Sequence, residues 1–458
     1  MTDPLRPTVD HPATGEPGPG IDHDTGMVRA VSRWQIVGLS INDVIGSGIY
    51  LLPASTALLL GPASLWAVLL AGVAVGLLVL CYAQAGSYYD DAGGSYLYAR
   101  DAFGDFIGFE VGWMTWLTRV ASAAALGSGL ALAVSKFWAP AGEGWGWTAV
   151  VVGSLAFLTY INVVGVRTAA RTGVALVLAK LVPLLFFIAV GAFFVDWSQA
   201  VAMGAPPTDK LGEGALLLLY AYAGFENTPA AAGEFRNPRR DVPFALITMI
   251  VLVTLIYVAV QVVAQGTVPD LAASRSPLAD AAETFAGPAG ALLLTLGAAV
   301  SILGSNSNTM LFGPRYLYAL SADGYGPAAL SRVHPRYRTP TIAIIVTGVL
   351  ATVLVLGQQF GGSGVSQAFA NLALLSVVAR LCSYIGTAAS LLVLQKRYRD
   401  RPNALALPGG PLIPVLALLV SLALVASAGV GNLAAAAVAI AVGAVIYLMR
   451  RRPAASHR

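Results

Sequence analysis

The feature that most constrains this chain is a succession of twelve long apolar runs. They fall at approximately 34–60, 63–88, 106–134, 147–166, 171–195, 213–235, 242–266, 288–320, 339–357, 365–395, 411–429 and 431–450. About 20 apolar residues are enough for a helix to cross the hydrocarbon of a bilayer. No water is present there to satisfy a free N–H or C=O, so runs of this length are expected to span as helices. Composition agrees. The chain is 57% hydrophobic and only 11% charged, where a soluble domain carries about 25% charged residues. The expected fold class is therefore an all-α polytopic membrane protein with 12 transmembrane helices.

The basic residues test that count. With a cytoplasmic N-terminus, 21 of the 27 Lys and Arg residues fall in inner segments, from Arg6, Arg29 and Arg33 through to Arg450, Arg451, Arg452 and Arg458. Only Lys136, Lys210 and Arg275 fall in outer ones, and Arg119, Lys180 and Arg380 lie inside runs. This asymmetry follows the positive-inside rule, and adding or removing one helix would destroy it. Both termini are expected in the cytoplasm, with the protein multi-pass in the cell (inner) membrane. Residues 1–33 are polar and rich in Pro and Gly. They read as a disordered cytoplasmic tail without a signal-peptide pattern. Residues 34–401 hold helices one to ten, and 402–458 hold helices eleven and twelve with a short cytoplasmic tail.

Several function classes are excluded. The net charge of +4 comes from basic residues at run ends, which does not suggest nucleic acid. Cys81 and Cys382 both sit in apolar runs, so they are buried thiols and no disulfide framework is implied. His11, His23, His334 and His457 all lie in tails or loops, which removes an intramembrane histidine proton relay. No phosphate loop, metal-ligand cluster or nucleophile–base constellation appears, so neither an enzyme nor a cofactor or metal is expected. A non-transporting membrane sensor is a further alternative, though the short tails offer no signalling domain.

The first run is interrupted at its centre by Ile45-Gly46-Ser47-Gly48, and Gly is poorly committed to helix. Broken backbone at membrane depth is tolerated only in protein or beside a cavity. The N–H groups freed there, with the positive end of the following half-helix, suit a carboxylate. The competing reading is that small-x-small spacing merely lets two helices pack closely. The sixth run carries a second interruption, Tyr222-Ala223-Gly224-Phe225-Glu226-Asn227-Thr228-Pro229. The two breaks lie five helices apart. Corresponding breaks in two halves of odd helix number point to an inverted-repeat secondary transporter with its site at the bilayer midplane. Helices 1–5 and 6–10 form the expected halves.

Ionisable residues at membrane depth are costly and are functional candidates by default. Lys180, in the fifth run, is far from either end. It is either a proton carrier or a structural ammonium tied to backbone carbonyls. Asp43 is either its partner or a structural hydrogen bonder. Glu226 either faces a substrate amine or caps a half-helix by accepting N–H bonds. Glu110 and Arg119 on the third run stand about 13 Å apart along the axis and do not pair directly. Arg380 reads more readily as a buried structural cation than as a ligand. Phe225, next to Gly224, is the candidate gate. Ser305, Asn306, Ser307 and Asn308 form a polar patch that could line a cavity.

At this point the chain resembles the amino acid–polyamine–organocation (APC) superfamily, in particular its bacterial amino acid permeases. Four stretches carry the resemblance. They are Ile45-Gly46-Ser47-Gly48-Ile49; Gly93-Gly94-Ser95-Tyr96-Leu97-Tyr98-Ala99-Arg100 with Phe103-Gly104 and Gly112-Trp113; Tyr222-Ala223-Gly224-Phe225-Glu226 with Gly233-Glu234 and Asn237-Pro238-Arg239-Arg240-Asp241-Val242-Pro243; and Arg315 with Tyr318-Ala319 and Asp323-Gly324. Together they cover residues 34–400, and their order is specific where each alone is not. The resemblance implies a LeuT-type 5+5 inverted repeat plus two extra helices. It implies a substrate carboxylate at Ile45, Gly46, Ser47 and Gly48, and an amine near the carbonyls of Tyr222, Ala223, Gly224 and Glu226. Lys180 looks like the family lysine that stands where sodium binds in sodium-coupled relatives, which favours protons as the coupling ion. Family members for cationic amino acids often carry Glu five residues after the Gly-Trp pair. Here that position is Thr118, followed by Arg119, which leans toward neutral amino acids. The expected function is proton-coupled amino acid symport by alternating access. An exchanger or facilitator without net ion coupling and a transporter of cationic amino acids or polyamines remain the alternatives.

Overall fold

The computed structural model describes residues 20–21, 28–46, 48–202, 204–205, 207–274, 276–360, 365–402, 404–427 and 429–450. Two residues each of β1 (Gly20–Ile21) and β2 (Val28–Arg29) pair antiparallel. Helix accounts for nearly everything after them. The order is α1 (Arg33–Val44), α2 (Gly48–Leu60), α3 (Ser64–Gly86), α4 (Ser95–Phe103), α5 (Asp105–Ser135), α6 (Gly144–Val164), α7 (Val166–Gly191), α8 (Trp197–Ala200), α9 (Leu211–Tyr222), α10 (Pro238–Thr267), α11 (Pro277–Ala322), α12 (Thr341–Phe360), α13 (Val365–Arg397), α14 (Leu412–Ala426) and α15 (Val430–Arg450). A 3₁₀ segment, Phe225–Glu234, follows α9.

Each apolar run named above is occupied by helix. The first is split into α1 and α2, and the sixth into α9 and the 3₁₀ segment. Seven helical stretches among the described residues are long and apolar enough to cross a membrane, and α12 and α14 carry shorter apolar stretches. Half-helices such as α1 and α9, 12 residues each, fall short because a break divides their runs. The outward faces are apolar: Leu70, Trp145, Phe193 and Leu255 are all well exposed, as expected of side chains facing lipid tails. The protein is a multi-pass membrane protein.

The most buried long helix is α5. Its centre reads Ala121-Ser122-Ala123-Ala124-Ala125, and all five residues are buried. Without a hydrophobic drive between helices in lipid, such small residues allow the close approach that dispersion needs. Its principal neighbours are α13 and α11. The result is a pillar that places Arg119 beside the breaks in the first and sixth runs.

Residues 28–33, which the sequence assigns to the tail, are tied to the end of the 3₁₀ segment. The N–H groups of Ala30 and Val31 donate to Glu234 O at 3.0 and 3.1 Å, and Arg236 N–H donates to Val31 O at 3.1 Å.

Candidate functional site

The site is built where the two breaks touch. After Val44, α1 stops with Ile45 in extended conformation (φ −73°, ψ 91°). After Tyr222, α9 stops and Gly224 adopts φ +130°, a region that glycine alone enters without strain. A Cβ built on Gly224 would stand 2.8 Å from both the carbonyl C and O of Asp43 and 3.1 Å from Val44 N. The absence of a side chain lets the two broken backbones meet directly.

The carbonyl end of α1 needs partners, because the last four C=O groups of a helix lack intrahelical donors. Side chains from α7 and α11 supply them. The Lys180 ammonium donates to Asn42 O at 2.8 Å and to Ile45 O. Ser305 Oγ donates to Asn42 O at 3.1 Å, and Ser301 Oγ donates to Ile45 O at 3.1 Å and Gly46 O at 3.0 Å. Lys180 is fully buried. Its charge sits at the negative end of the α1 dipole, which favours a cation. Gly304 makes the room: a Cβ there would lie 2.5 Å from Asn42 Oδ1 and 3.3 Å from Lys180 Cε. Asn42 in turn donates to Gly304 O at 2.9 Å and Asn308 Oδ1 at 3.1 Å. Of the two partners open to Lys180 in the sequence, the structure gives it main-chain carbonyls. Asp43 instead accepts from the Asn227 amide.

Glu226 is the hub of the other side. Its Oε1 accepts from Arg119 Nη2 at 2.9 Å and lies 2.9 Å from Arg380 Nε. Its Oε2 accepts from Gly224 N–H at 2.9 Å and Tyr384 O–H at 3.1 Å. Glu226, Arg119 and Arg380 are all buried, so each charge depends on the others in a low-dielectric setting. The carboxylate thus caps the Gly224 turn as well as pairing with two guanidinium groups.

A cavity of about 50 Å³ lies at this junction. Its walls are Asp43, Val44, Gly46 and Gly48 from the first break, Ala221, Ala223 and Gly224 from the second, Arg119, Ser122, Ala125 and Leu126 from α5, Ser305 and Thr309 from α11, and Ser376 and Arg380 from α13. The structure therefore brings Gly46, Gly48, Ala223, Gly224 and Asp43 together. Ile45 is fully buried and contributes its carbonyl to the Lys180 and Ser301 contacts. Tyr222 lies outside the walls, with its hydroxyl 3.2 Å from Val68 O and its ring against Tyr257. Phe225 is also outside them, buried between Tyr384 (ring centroids 5.2 Å apart, stacked) and Tyr82 (5.5 Å, edge-on). Ser47 lies outside the described residues. Of the polar patch, Ser305 reaches the cavity, whereas Asn306 and Asn308 bind Ala123 O and Leu39 O.

The linking of Arg119 and Arg380 through Glu226 was not anticipated. A signal existed, since three intramembrane charges of opposite sign need one another, but sequence spacing does not report which helices are adjacent.

One face of the bundle is sealed by ion pairs among the basic segments. Arg100 and Tyr96 meet Asp323, Arg239 meets Asp90, Arg33 meets Asp241 at 2.7 Å, and buried Arg315 meets Glu234 at 2.8 Å. Asp101 on α4 accepts from Arg397, Tyr89 (2.6 Å) and Tyr398 (2.5 Å). Burial alone would push its carboxyl up, but the two hydroxyls and the guanidinium outweigh that and hold it below the ordinary carboxylate value. Toward the opposite face, a second cavity of about 180 Å³ is lined by Tyr50, Leu132, Lys136, Ser276 and Ile302. Its residues on and just after α5, Gly129 to Lys136, lie about ten residues and so nearly three turns beyond those of the first cavity, Arg119 to Leu126.

The chain matches the amino acid permease family over residues 31–449. It belongs to that family, within the APC superfamily. Three proteins of Bacillus subtilis (strain 168) are similar over nearly their whole length. The branched-chain amino acid permease BcaP is 27% identical over 456 residues, covering 94% of each chain. The methylthioribose transporter is 26% identical over 447 residues, covering 93% of this chain and 94% of its own. The serine/threonine exchanger SteT is 27% identical over 449 residues, covering 94% and 99%. The family is one of permeases rather than enzymes, and its members act on small molecules across membranes.

Proposed function

We propose that this permease is a secondary active transporter of amino acids, working as a proton symporter by alternating access. The observation that carries the reading is the meeting of the two helix breaks at one buried cavity, with Gly224 seated on the Asp43–Val44 backbone. Such paired breaks fit two inverted halves of five helices, with two helices added to give twelve. The helical occupancy of all twelve apolar runs supports that count. The 21-to-3 division of basic residues supports cytoplasmic termini and an inner-membrane location. The substrate carboxylate would meet Gly46, Ser47 and Gly48, and its amine would meet the carbonyls around Ala223 and Gly224 with Asp43 beside them. Phe225 would act from behind, by keeping the Gly224 turn in place between Tyr82 and Tyr384. The ion-paired basic face and the cavity toward the opposite face fit one end state of a rocking cycle.

Lys180 would carry the coupling. Its ammonium grips two carbonyls at the end of α1. Loss of the proton would remove the charge that complements the helix dipole there and release α1 to move. Cationic side chains are disfavoured, because the Glu226 carboxylate already accepts three hydrogen bonds and pairs with Arg380, and Arg119 and Arg380 stand in the walls. Neutral and acidic amino acids remain.

The test is uptake of a panel of radiolabelled amino acids into proteoliposomes with and without an inward proton gradient. Accumulation above the equilibrium ratio only with the gradient is expected. Similarity to the serine/threonine exchanger SteT supports exchange as a second reading. Rapid counterflow without any gradient-driven accumulation would replace symport by exchange.

A further inference from the structure

We infer that a groove on the ion-paired basic face binds an anionic phospholipid, with the lipid phosphate held by Lys396, Arg399 and Arg401.

The groove lies where the end of α13 and the chain entering α14 pack against the end of α3. Its volume is about 530 Å³, within the roughly 300–1,000 Å³ of small-molecule sites. Hydrogen bonds fix its shape. Gln395 Nε2 donates to Gln84 Oε1 at 2.8 Å and to Gly410 O at 3.1 Å, and Gln84 Nε2 donates to the Tyr88 hydroxyl at 2.9 Å. Leu405 N–H donates to Ser87 Oγ at 3.0 Å. The segment after α13 is thereby tied to α3.

The charges in this groove are not balanced from within the chain. Elsewhere on the face, Arg100, Arg239 and Arg397 each meet a carboxylate. Among the described residues, Lys396, Arg399 and Arg401 do not. Asp101 is close by but already accepts from Arg397, Tyr89 and Tyr398. Asp400, between two of the cations in sequence, is exposed, so three positive charges stand against one negative. Arg401 is held in place, with its guanidinium 4.9 Å from the centre of the Tyr398 ring. Guanidinium and ammonium groups converging on a pocket at the end of membrane helices suit a phosphate.

The rest of the groove selects the kind of phosphate. Leu392, Leu405 and Leu407 line it beside the cations. Helix α14 starts at Leu412, next to Pro411 in the wall, and Leu412, Leu416 and Leu419 are exposed. Spaced four and three residues apart, they share one helix face, a track for an acyl chain. A free phosphate has nothing to set against this apolar half. A nucleotide base needs an open aromatic slot, whereas Tyr88 and Tyr398 close on each other with ring centroids 5.2 Å apart.

The test is native mass spectrometry of the purified full-length protein titrated with phosphatidylglycerol or phosphatidylcholine of identical chains. Phosphatidylglycerol should bind about tenfold tighter at low salt, and the preference should shrink as salt screens the exposed cations. Lys396→Gln, Arg399→Gln and Arg401→Gln should each weaken it about fivefold, and the triple variant about a hundredfold. Lys396 and Arg399 are exposed, so their single variants should fold and decide the matter if the triple one does not. Arg336→Gln removes a cation from the segment between α11 and α12, outside the groove, and should change binding by less than about twofold. Equal binding of the two lipids overturns the inference, as does a preference that survives the groove substitutions. An equal loss in Arg336→Gln also overturns it, by reducing the effect to diffuse attraction. Inorganic phosphate and ATP are titrated against bound phosphatidylglycerol in parallel. Displacement by either at concentrations comparable to the lipid's would make this a site for a soluble anion instead.

Discussion

Replacing Lys180 by Met separates coupling from folding. Methionine keeps much of the length and volume and removes the charge. Two charge-assisted hydrogen bonds are lost, each worth about 1.5–3 kcal/mol. Against this, the several kcal/mol of desolvation that a buried ammonium costs is no longer incurred. The carbonyls are not abandoned, because Ser305 still reaches Asn42 O and Ser301 still reaches Ile45 O, each at 3.1 Å. The opposing terms nearly cancel, so folded stability should change by no more than about 2 kcal/mol. Transport should change qualitatively. One pH unit across the membrane supplies 1.36 kcal/mol per proton, which is a tenfold concentration ratio. With one proton per substrate, the unsubstituted protein should accumulate substrate up to about tenfold per unit. Lys180→Met should equilibrate it at a ratio of about one while still exchanging. Uptake is measured in proteoliposomes at an imposed gradient, alongside counterflow in its absence. Accumulation by the variant that still rises with the gradient would refute Lys180 as the coupling group.

Gly224→Ala should abolish uptake and destabilise the protein by about 2–5 kcal/mol, combining a strained φ with overpacking against main chain; a normal melting temperature with normal uptake would contradict the contact between breaks. Arg315→Met alone strands the buried Glu234 carboxylate and should cost about 3–5 kcal/mol, while adding Glu234→Leu should recover most of it. SDS-titration unfolding checks the order, and a double variant worse than the single would reverse it. The Asp101 carboxyl is held below its unfolded value, so the stability it contributes is fully present above the ordinary value of 3.8 and is lost as pH falls through the lower folded one. Asp101→Asn should therefore lessen the fall in melting temperature on acidification below about pH 4, and an unchanged acid limb would show that Asp101 contributes nothing.

Much of the architecture is legible in the residues themselves. Apolar run length fixes where helices form, since hydrocarbon tolerates no unpaired backbone. Glycine marks where helices stop, and the structure breaks the first and sixth runs at Ile45–Gly46 and at Ala223–Gly224. The need for a partner is equally local: a lysine in the middle of an apolar run has to find acceptors, and Lys180 finds them. What remains open at that level is which acceptors. Lys180 could serve Asp43 or bare carbonyls, and Glu226 could face an amine or cap a turn.

Those choices belong to the packing of helices far apart in sequence. Arg119 and Arg380 are separated from Glu226 by 107 and 154 positions in the chain, and periodicity within a helix carries no information about which neighbour a side chain meets. The tertiary structure places α5, α13 and the Gly224 turn around one carboxylate, and so turns three isolated costly charges into a paired cluster. It also places Tyr222 and Phe225 behind the cavity rather than in it, because each packs against aromatic rings of other helices, Tyr222 on Tyr257 and Phe225 between Tyr82 and Tyr384. Run length and glycine placement determined that this chain is a broken-helix membrane protein. Which of its buried charges pair was decided only when the helices came together.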